Sequence, residues 1–371
     1  MSTDEGRERR PRLGTRGSRL ALTQSGQVAD ALRQAAAAGA RAPGCDNLEL
    51  DLVTVRTDGD GDRTPLRQLG GVGVFAARLR HALLDGEVDL VVHSFKDLPT
   101  QPVEGLEVIC VPPREDPRDA LCARDGLTLA TLPEGARVGT GSPRRTAQLL
   151  ATRPDLEVVD LRGNVPTRLA RVRGLEAVGV DTDEPVAPAR ADAAGDLDAV
   201  VLALSGLRRL GLEHCASEVL DLETMLPAPA QGALAVEARA GEGSAALARA
   251  AAALDDEPTR LAVTAERALM ARLGAGCAAP VGAWAHLSGG EQEQRVLALR
   301  AVVTSLDGGK EVGCELSAEL PEADGGPDTH GNAVAQAVRA AEALGVRAAE
   351  VLLEDGAAEV VDLHANKPRR D

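Results

Sequence analysis

The sequence predicts an α/β protein of two hinged lobes followed by a small α+β domain. Short apolar, strand-like runs alternate with helical patterns over residues 12–112 and again over 117–226. Such alternation indicates βαβ units and a parallel sheet in each lobe. Proline-containing crossings at Val111–Pro117 and Met225–Gly232 separate the lobes. Two lobes joined in this way are typical of proteins that bind a ligand in the cleft between them.

The elements of the first lobe follow from their residue patterns. Leu20–Ala38 has the composition of a helix, and Leu48–Val55 alternates as LELDLVTV, which predicts a half-buried strand. Phe75–Leu84 has helical spacing, and Val88–Val92 is a continuous apolar run that predicts a buried strand. The sequence GGVG at 70–73 lacks the spacing of a phosphate loop, so we interpret it as a flexible lid or turn.

The second lobe and the C-terminal region are predicted in the same way. Strands are expected at Arg137–Gly139, Glu157–Leu161, Asp198–Leu204, Val296–Val303 and Val312–Leu316, and helices at Ser142–Ala151, Ala245–Leu254, Pro258–Leu273 and Ala333–Leu353. We therefore expect a disordered extension at 1–11, a first lobe at 12–112 and 233–250, a second lobe at 117–226 with an exposed insertion at 174–195, and a third domain at 255–371.

The composition excludes several classes of protein. The 371 residues contain 41 Lys and Arg against 57 Asp and Glu, and aromatic residues are limited to two Phe and one Trp. Because nucleic-acid binding needs a basic face or stacking platforms, we expect no nucleic-acid partner. The N-terminus lacks the apolar core of a secretory signal, and no apolar run is long enough to predict a membrane span. Six scattered cysteines without a CxxC pair indicate a reducing cytoplasm and no metal site.

One candidate site is the sequence HSFKD at 93–97, directly after an apolar strand. The C-terminal ends of parallel strands carry ligand-contacting residues in α/β proteins. Lys96 offers a cation for an anionic substrate, and Asp97 offers a carboxylate for proton transfer or for stabilising a cation. A solvated turn with a local ion pair is the alternative. The scarcity of lysine, which occurs only at positions 96, 310 and 367, favours the functional interpretation.

Arginines follow the predicted strands in both lobes. The sequence GTGSPRR at 139–145 predicts an anion-binding turn, with Ser142 as the cap of a helix that carries Arg144 and Arg145 in its first turn. Other strand ends are followed by Arg16 and Ser18, by Arg162 and Arg168, and by Arg208 and Arg209. Each arginine alone is typical of a surface, but together they predict a cleft that binds several carboxylates.

Cys277 lies on a glycine-flanked loop, GAGCAAP at 274–280. Its candidate roles are a nucleophile or a covalent tether. A small buried filler is the common alternative for a cysteine. A cysteine hydrolase is disfavoured because no His or Asn stands in a convincing partner context.

These segments, in this order, resemble the porphobilinogen deaminase family, also called hydroxymethylbilane synthases. The resemblance extends from about Arg12 to Ala357. It rests on TRGSRLAL at 15–22, HSFKDLP at 93–99, REDPRDA at 114–120, GTGSPRR at 139–145, LRGNVPTRL at 161–169, GLRRLGL at 206–212, TAERALMARLGAGCAAPVG at 264–282 and AEVLLEDGA at 349–357.

The resemblance implies a monomeric, cytoplasmic transferase of tetrapyrrole and haem biosynthesis. Such an enzyme condenses four porphobilinogen molecules head to tail into hydroxymethylbilane, with release of ammonia. It further implies two doubly wound lobes resembling type II periplasmic binding proteins, no metal, and a dipyrromethane cofactor on a cysteine thioether, matched here by Cys277. The family's catalytic aspartate matches Asp97. Residues that hold the cofactor match Lys96, Ser94, Thr140, Ser142, Arg144, Arg145 and Arg209, and those around the substrate match Arg16, Ser18, Arg162 and Arg168.

The chain departs from the family pattern at three positions. Val72 and Ala77 stand where lysine is frequent, and Ala230 stands where glycine is common. The alternative function is a hinged, non-enzymatic binding protein for small carboxylates. The combination of Asp97 with Cys277, which a binding protein would not need, favours the enzyme.

Overall fold

The computed structural model describes residues 10–39, 48–55, 74–175, 195–276, 279–289, 294–321 and 327–363. Our predictions for residues 1–9, the GGVG segment with Val72, most of the insertion at 174–195 and Cys277 lie outside the described residues.

The described strands and helices alternate as predicted over residues 12–94 and 137–209, whereas strands follow one another without an α-helix between them among the described residues of 90–140, 218–239 and 281–319. The strands are β1 (Arg12–Thr15), β2 (Asp51–Thr54), β3 (Leu90–Ser94), β4 (Leu106–Cys110), β5 (Asp119–Ala123), β6 (Arg137–Thr140), β7 (Glu157–Asp160), β8 (Ala199–Ala203), β9 (Glu218–Val219), β10 (Leu234–Arg239), β11 (Val281–Ser288), β12 (Val296–Thr304) and β13 (Glu311–Glu319). The helices are α1 (Arg19–Gly39), α2 (Val74–Leu84), α3 (Pro143–Thr152), α4 (Val165–Leu169), α5 (Leu204–Arg209), α6 (Ala245–Leu254), α7 (Glu257–Leu273), α8 (Pro327–Glu354) and α9 (Ala357–Val360). No helix in these ranges is long and apolar enough to cross a membrane.

The first of two compact units contains a five-stranded mixed sheet in the order β2-β1-β3-β10-β4. Strand β1 pairs in parallel with β2 and β3, whereas β10 pairs antiparallel with β3 and β4. Helices α1 and α6 pack on one face through a core that includes Leu32, Leu90 and Leu247. Helix α2 covers the other face, where Leu79 packs with Val91. Helices on both faces confirm the doubly wound α/β class. The prediction of a parallel sheet in each lobe was wrong in part, because β10 here and β5 in the second unit pair antiparallel with their neighbours.

The second unit contains a sheet in the order β7-β6-β8-β5-β9. Strand β6 is parallel to β7 and β8, and β5 is antiparallel to β8 and β9. All five residues of β5 are buried, as expected for a strand that is covered on both faces. Leu149 of α3 packs in the core on one of these faces.

The C-terminal part of the second unit is a small α+β domain, as predicted. Strands β11, β12 and β13 form an antiparallel sheet. Helices α7 and α8 pack with its inner residues in one core, which includes Leu269, Leu299 and Leu344. The chain passes between the two units after Pro113, Ala233 and Asp256. The boundaries predicted for three domains stay a prediction.

Candidate active site

In the first unit, two parallel strands end at one edge of the sheet and place candidate residues there. Arg16 and Ser18 follow β1, and Lys96 and Asp97 follow β3. Residues 90–93 of β3 are buried, and a 3-10 turn over Phe95–Asp97 comes directly after the strand. Phe95 is buried and Asp97 is exposed, so the turn is anchored by its aromatic ring and presents its carboxylate to solvent.

Polar side chains on α1 and just before it hold this edge. Ser94, the last residue of β3, lies against the buried amide of Gln24, with its Oγ 3.1 Å from Nε2 and 3.2 Å from Oε1. Ser18 precedes α1, and its Oγ accepts a hydrogen bond from the amide N–H of Ala21 at 3.4 Å. Ser18 therefore acts as a helix cap, and Ser94 is fixed by α1.

In the second unit, the turn between β6 and α3 is the predicted capped turn. Ser142 is the N-cap of α3 and accepts a hydrogen bond from the N–H of Arg145, and Pro143 occupies the first helical turn. Thr140 ends β6 and is buried. A Cβ atom at Gly141 would lie 2.5 Å from the carbonyl oxygen of Leu161. Glycine therefore lets this turn approach the end of β7, where Arg162 follows.

Arg144 and Arg145 are both buried and share one buried carboxylate, that of Asp119 on β5. Nη2 of Arg144 donates to Oδ2 at 2.7 Å, and Arg145 donates to Oδ1 from Nε at 3.1 Å and from Nη2 at 2.7 Å. Nε2 of Gln231 also donates to Oδ1, at 2.8 Å. Burial alone would raise the pKa of Asp119, but the two guanidinium groups outweigh it and hold this pKa well below its ordinary value.

The Asp119 cluster, defined as Asp119, Arg144, Arg145 and Gln231, has an excess of positive charge. Two guanidinium groups face a single carboxylate. The remaining terminal nitrogens donate to the carbonyl oxygens of Leu226 and Val201. Nε of Arg144 is buried and has no hydrogen-bond partner among the described residues. An excess of buried positive charge with an orphaned donor suits a bound carboxylate, so these residues fit a cofactor with acidic side chains.

Three other arginines predicted in this unit, Arg162, Arg168 and Arg209, are partly buried, and each contacts the backbone or a nearby carboxylate. Arg208 is exposed, and its Nη1 donates to Oε1 of Glu115 at 2.7 Å. Nε of Arg162 lies 3.5 Å from Oδ2 of Asp160. Nε of Arg168 donates to the carbonyl oxygen of Gly163 at 2.7 Å. Nη2 of Arg209 donates to the carbonyl oxygen of Gly232 at 2.6 Å, and burial lowers the pKa of Arg209.

Sequence reasoning missed a second buried carboxylate, Glu266 on α7. It accepts hydrogen bonds from both terminal nitrogens of Arg114, at 2.7 and 3.0 Å. It also accepts the N–H groups of Ala230, at 2.5 Å, and Ala285, at 2.8 Å. Ala230 has a φ of 61°, a conformation that favours glycine. Glu266 thus holds this strained crossing against α7 and β11. The available sequence signal was its helical spacing from Ala262, Leu269 and Leu273, which places a charged residue on the apolar face of α7.

The predicted residues divide between the two units. The first unit holds Arg16, Ser18, Ser94, Lys96 and Asp97, and the second holds Thr140, Ser142, Arg144, Arg145, Arg162, Arg168 and Arg209. Cys277 lies outside the described residues, four positions after the end of α7. Within the described part of the chain, His, Cys, Asp and Glu side chains form no group of three that could hold a metal ion.

Comparison with known proteins gives matches over nearly the whole chain. The family model described as porphobilinogen deaminase, dipyrromethane cofactor binding domain, matches residues 12–246, and the porphobilinogen deaminase C-terminal domain matches 260–354. The porphobilinogen deaminase of Cutibacterium acnes is 52% identical over 362 residues, which cover 97% of this chain and 99% of that protein. The porphobilinogen deaminase of Micrococcus luteus is 51% identical over 93% of each chain. A TRAP periplasmic solute-binding protein from Roseobacter denitrificans aligns with 66% of this chain and 78% of its own, at 10% identity and a TM-score of 0.31.

Proposed function

Because this chain belongs to the porphobilinogen deaminase family, we propose that the residues at its two sheet edges carry out that family's reaction. The protein is a transferase that joins four porphobilinogen molecules head to tail into hydroxymethylbilane and releases ammonia. Its cofactor is dipyrromethane. One observation carries the assignment of residues. The carboxylate of Asp97 is exposed beside Lys96, in the turn directly after a buried strand.

Asp97 is the proposed catalytic residue. Its carboxylate can accept hydrogen bonds from the substrate's aminomethyl group and stabilise the positive charge that develops on the methylene carbon as ammonia leaves. It can then take the proton released when the new carbon–carbon bond forms. Buried Phe95 and Leu98 flank the pair Lys96 and Asp97, which supports a fixed turn.

The cofactor would be held through its acidic side chains and its thioether. The residues proposed to hold it are Lys96, Ser94, Thr140, Ser142, Arg144, Arg145 and Arg209, with Cys277 as the covalent anchor. When bound, dipyrromethane supplies the free pyrrole position to which the first substrate is added. The excess positive charge of the Asp119 cluster supports this role. Arg145 directs its guanidinium to Asp119 and Val201, so it contributes by charge and by fixing the cluster.

The incoming substrate would be bound by Arg16, Ser18, Arg162 and Arg168. Each porphobilinogen carries two carboxylates, and planar guanidinium groups bind carboxylates through paired hydrogen bonds. The partial burial of Arg16, Arg162 and Arg168 supports this role, because ion pairs are stronger away from bulk water.

The finer setting of the enzyme is also a proposal. We infer a monomer that acts in the cytoplasm on porphobilinogen alone, without nucleic-acid or membrane partners. Among the described cysteines, Cys122, Cys215 and Cys314 form no disulfide bond, which supports a reducing compartment.

The assignment of Asp97 is tested by comparing Asp97→Ala with Asp85→Ala, a substitution of another exposed aspartate in the same unit. We expect Asp97→Ala to lower turnover at least ~10²-fold, because it removes a group that acts on developing charge. Intact mass should show that the variant keeps its dipyrromethane. Asp85→Ala should retain wild-type turnover. Equal turnover in both variants would refute the role of Asp97.

A further inference from the structure

Three buried polar side chains from different elements meet at the end of β3, just before the Lys96–Asp97 turn. Arg80 of α2, His93 of β3 and Glu237 of β10 are 8%, 6% and 2% exposed. Arg80 donates to Glu237 from Nε, 3.0 Å from each carboxylate oxygen, and from Nη2 at 2.8 Å. Nε2 of His93 lies 3.1 Å from Oε2 of the same carboxylate. We refer to these residues as the Arg80–Glu237–His93 triad.

Strand register places the triad on the α2 side of the sheet. Glu237 lies opposite Val91 in the antiparallel pairing of β10 with β3. His93 is two residues beyond Val91, so both side chains point to the same face. Val91 packs in an apolar cluster with Leu79 of α2. The triad therefore lies next to the apolar cluster of Leu79 and Val91, on the side nearer the turn that follows β3.

The end of β3 is consequently held from both faces. His93 is bound by the triad on the α2 side, and Ser94, whose side chain points the opposite way, contacts Gln24 of α1. The turn that carries Asp97 begins at the next residue, Phe95. A displacement of α1 would therefore act on Ser94, and a displacement of α2 would act on His93 through Glu237.

Stability alone does not explain why this buried position holds charged side chains rather than apolar ones. A buried ion pair contributes little more than an apolar trio of similar volume, whereas breaking the pair is costly. Burial by itself would raise the pKa of Glu237, but hydrogen bonds from His93 and Arg80 outweigh it and lower this pKa, which keeps the carboxylate ionised. Directional bonds between charged groups fix geometry more narrowly than apolar packing does.

We propose that Arg80, Glu237 and His93 are positioning residues that hold the end of β3 and thereby set the position of the Asp97 carboxylate. The inference rests on the proposed function of Asp97. Arg80 acts by orienting Glu237, and Glu237 acts by holding His93. None of the three is required to touch the substrate.

The first test measures the turn itself and needs no turnover. Hydrogen exchange is followed at the amides of residues 94–98 in the purified holoenzyme and in its Arg80→Met and Glu237→Gln variants. We expect exchange in this segment to accelerate about tenfold or more in both variants, because local opening is limited by the contacts that hold it. Glu237→Gln keeps the side-chain volume, so it can be measured even if Arg80→Met does not fold.

The matched control is Arg239→Met, on the same strand as Glu237. Arg239 donates to the carbonyl oxygens of Leu83 and Val88 and to Asp89, before β3 begins. Its loss should lower thermal stability without changing exchange at residues 94–98. Equal exchange at residues 94–98 in the wild type and both triad variants would overturn the proposal.

The second test separates positioning from stability by kinetics. Per cofactor-loaded molecule, Arg80→Met and Glu237→Gln should lower kcat about ten- to hundredfold with little change in KM, because a small misplacement of a catalytic group costs rate rather than binding. Arg80→Lys, which keeps the charge, should lose less, and Arg239→Met should keep wild-type kcat. Unchanged kcat in both triad variants, with Asp97→Ala inactive, would refute the inference alone. Full activity of Asp97→Ala would instead refute the proposed function.

Discussion

Asp119 is an ionised carboxylate without access to solvent, and Arg144 and Arg145 keep it ionised. Its pKa lies below the ordinary value of 3.8 in the folded protein. A group with a lowered folded pKa stabilises the fold above its unfolded pKa, and this contribution is lost as the pH falls toward the folded pKa. The Asp119 cluster should therefore stabilise the second unit at neutral pH and weaken in acid.

We predict that Asp119→Asn lowers the free energy of unfolding by roughly 3–5 kcal/mol at pH 7, since two buried guanidinium groups lose their counter-charge. The deficit relative to wild type should stay constant from about pH 7 to 5 and shrink below about pH 4. Urea unfolding of both proteins at a series of pH values measures this difference in the free energy of unfolding. Asp155→Asn, at a more exposed ion pair with Arg153, is the control and should change stability far less than Asp119→Asn does. A deficit that grows in acid would contradict this account.

Sequence reasoning found the arginines of this cluster but not their partners. Ser142, Pro143 and the following arginines form a local signal for a capped helix, which the structure confirms. Asp119 lies 25 residues before Arg144, and Gln231 lies 112 residues after Asp119. Contacts between residues this far apart in the sequence depend on how the strands pair. Local residue patterns do not specify that pairing. The site residues themselves stay a prediction.

Helices α7 and α8 pack so closely that one position has no room for a side chain. A Cβ atom at Gly345 of α8 would lie 2.1 Å from the carbonyl oxygen of Ala265 and 2.9 Å from the Cβ of Ala268, both on α7. Ala is intrinsically favoured over Gly in a helix by about 1 kcal/mol. Glycine at this position therefore indicates that helix contact outweighs helix propensity.

We predict that Gly345→Ala destabilises the protein by about 1–3 kcal/mol or more, because overpacking at the helix contact exceeds the gain in propensity. Thermal unfolding measures the change. Glu342→Ala, at an exposed position of the same helix, is the control and should shift stability by less than about 0.5 kcal/mol. A stabilised Gly345→Ala variant would show that the two helices can separate without cost.

Elements with a local period were predicted closely, and those set by distant pairing were not. Helix α7 begins within one residue of its predicted start. Strand β11 was not predicted. Two of the three residues on its inner face, Ala283 and Ala285, have low strand propensity, and Gly282 interrupts the apolar pattern. Strand β10 enters the first sheet between β3 and β4 from a distant part of the chain, so its place follows from topology alone.

At the scale of the whole molecule, the alternation of strands and helices was enough to predict the α/β class and the small C-terminal domain. The proposed chemistry draws on side chains that lie in two compact units and on a cysteine outside the described residues. The motifs that carry the family resemblance are distributed in the same way, which explains why no single segment identifies the reaction.

The six cysteines differ in how well each could serve as the covalent anchor. Burial, with nearby Cys215, raises the pKa of Cys122 to about 12, and burial raises the pKa of Cys314 to about 11. The thiolate is the reactive form of cysteine, so both thiols stay protonated near neutral pH. Cys110 and Cys215 are buried as well. These environments disfavour four of the six as the anchor. Of the remaining two, Cys45 and Cys277, Cys277 is the cysteine that matches the family's anchor.

We therefore predict that the intact protein weighs more than its sequence by two condensed pyrrole units and gives a dipyrrole colour with an acidic aldehyde reagent. A thioether is stable through many turnovers, so one cofactor can prime every round. Cys277→Ala should lose the added mass, the colour and all activity, whereas the matched variant Cys314→Ala should keep all three. Peptide mapping locates the adduct. An adduct on another cysteine would refute the anchor, and an active protein with the mass of its bare sequence would refute covalent priming itself.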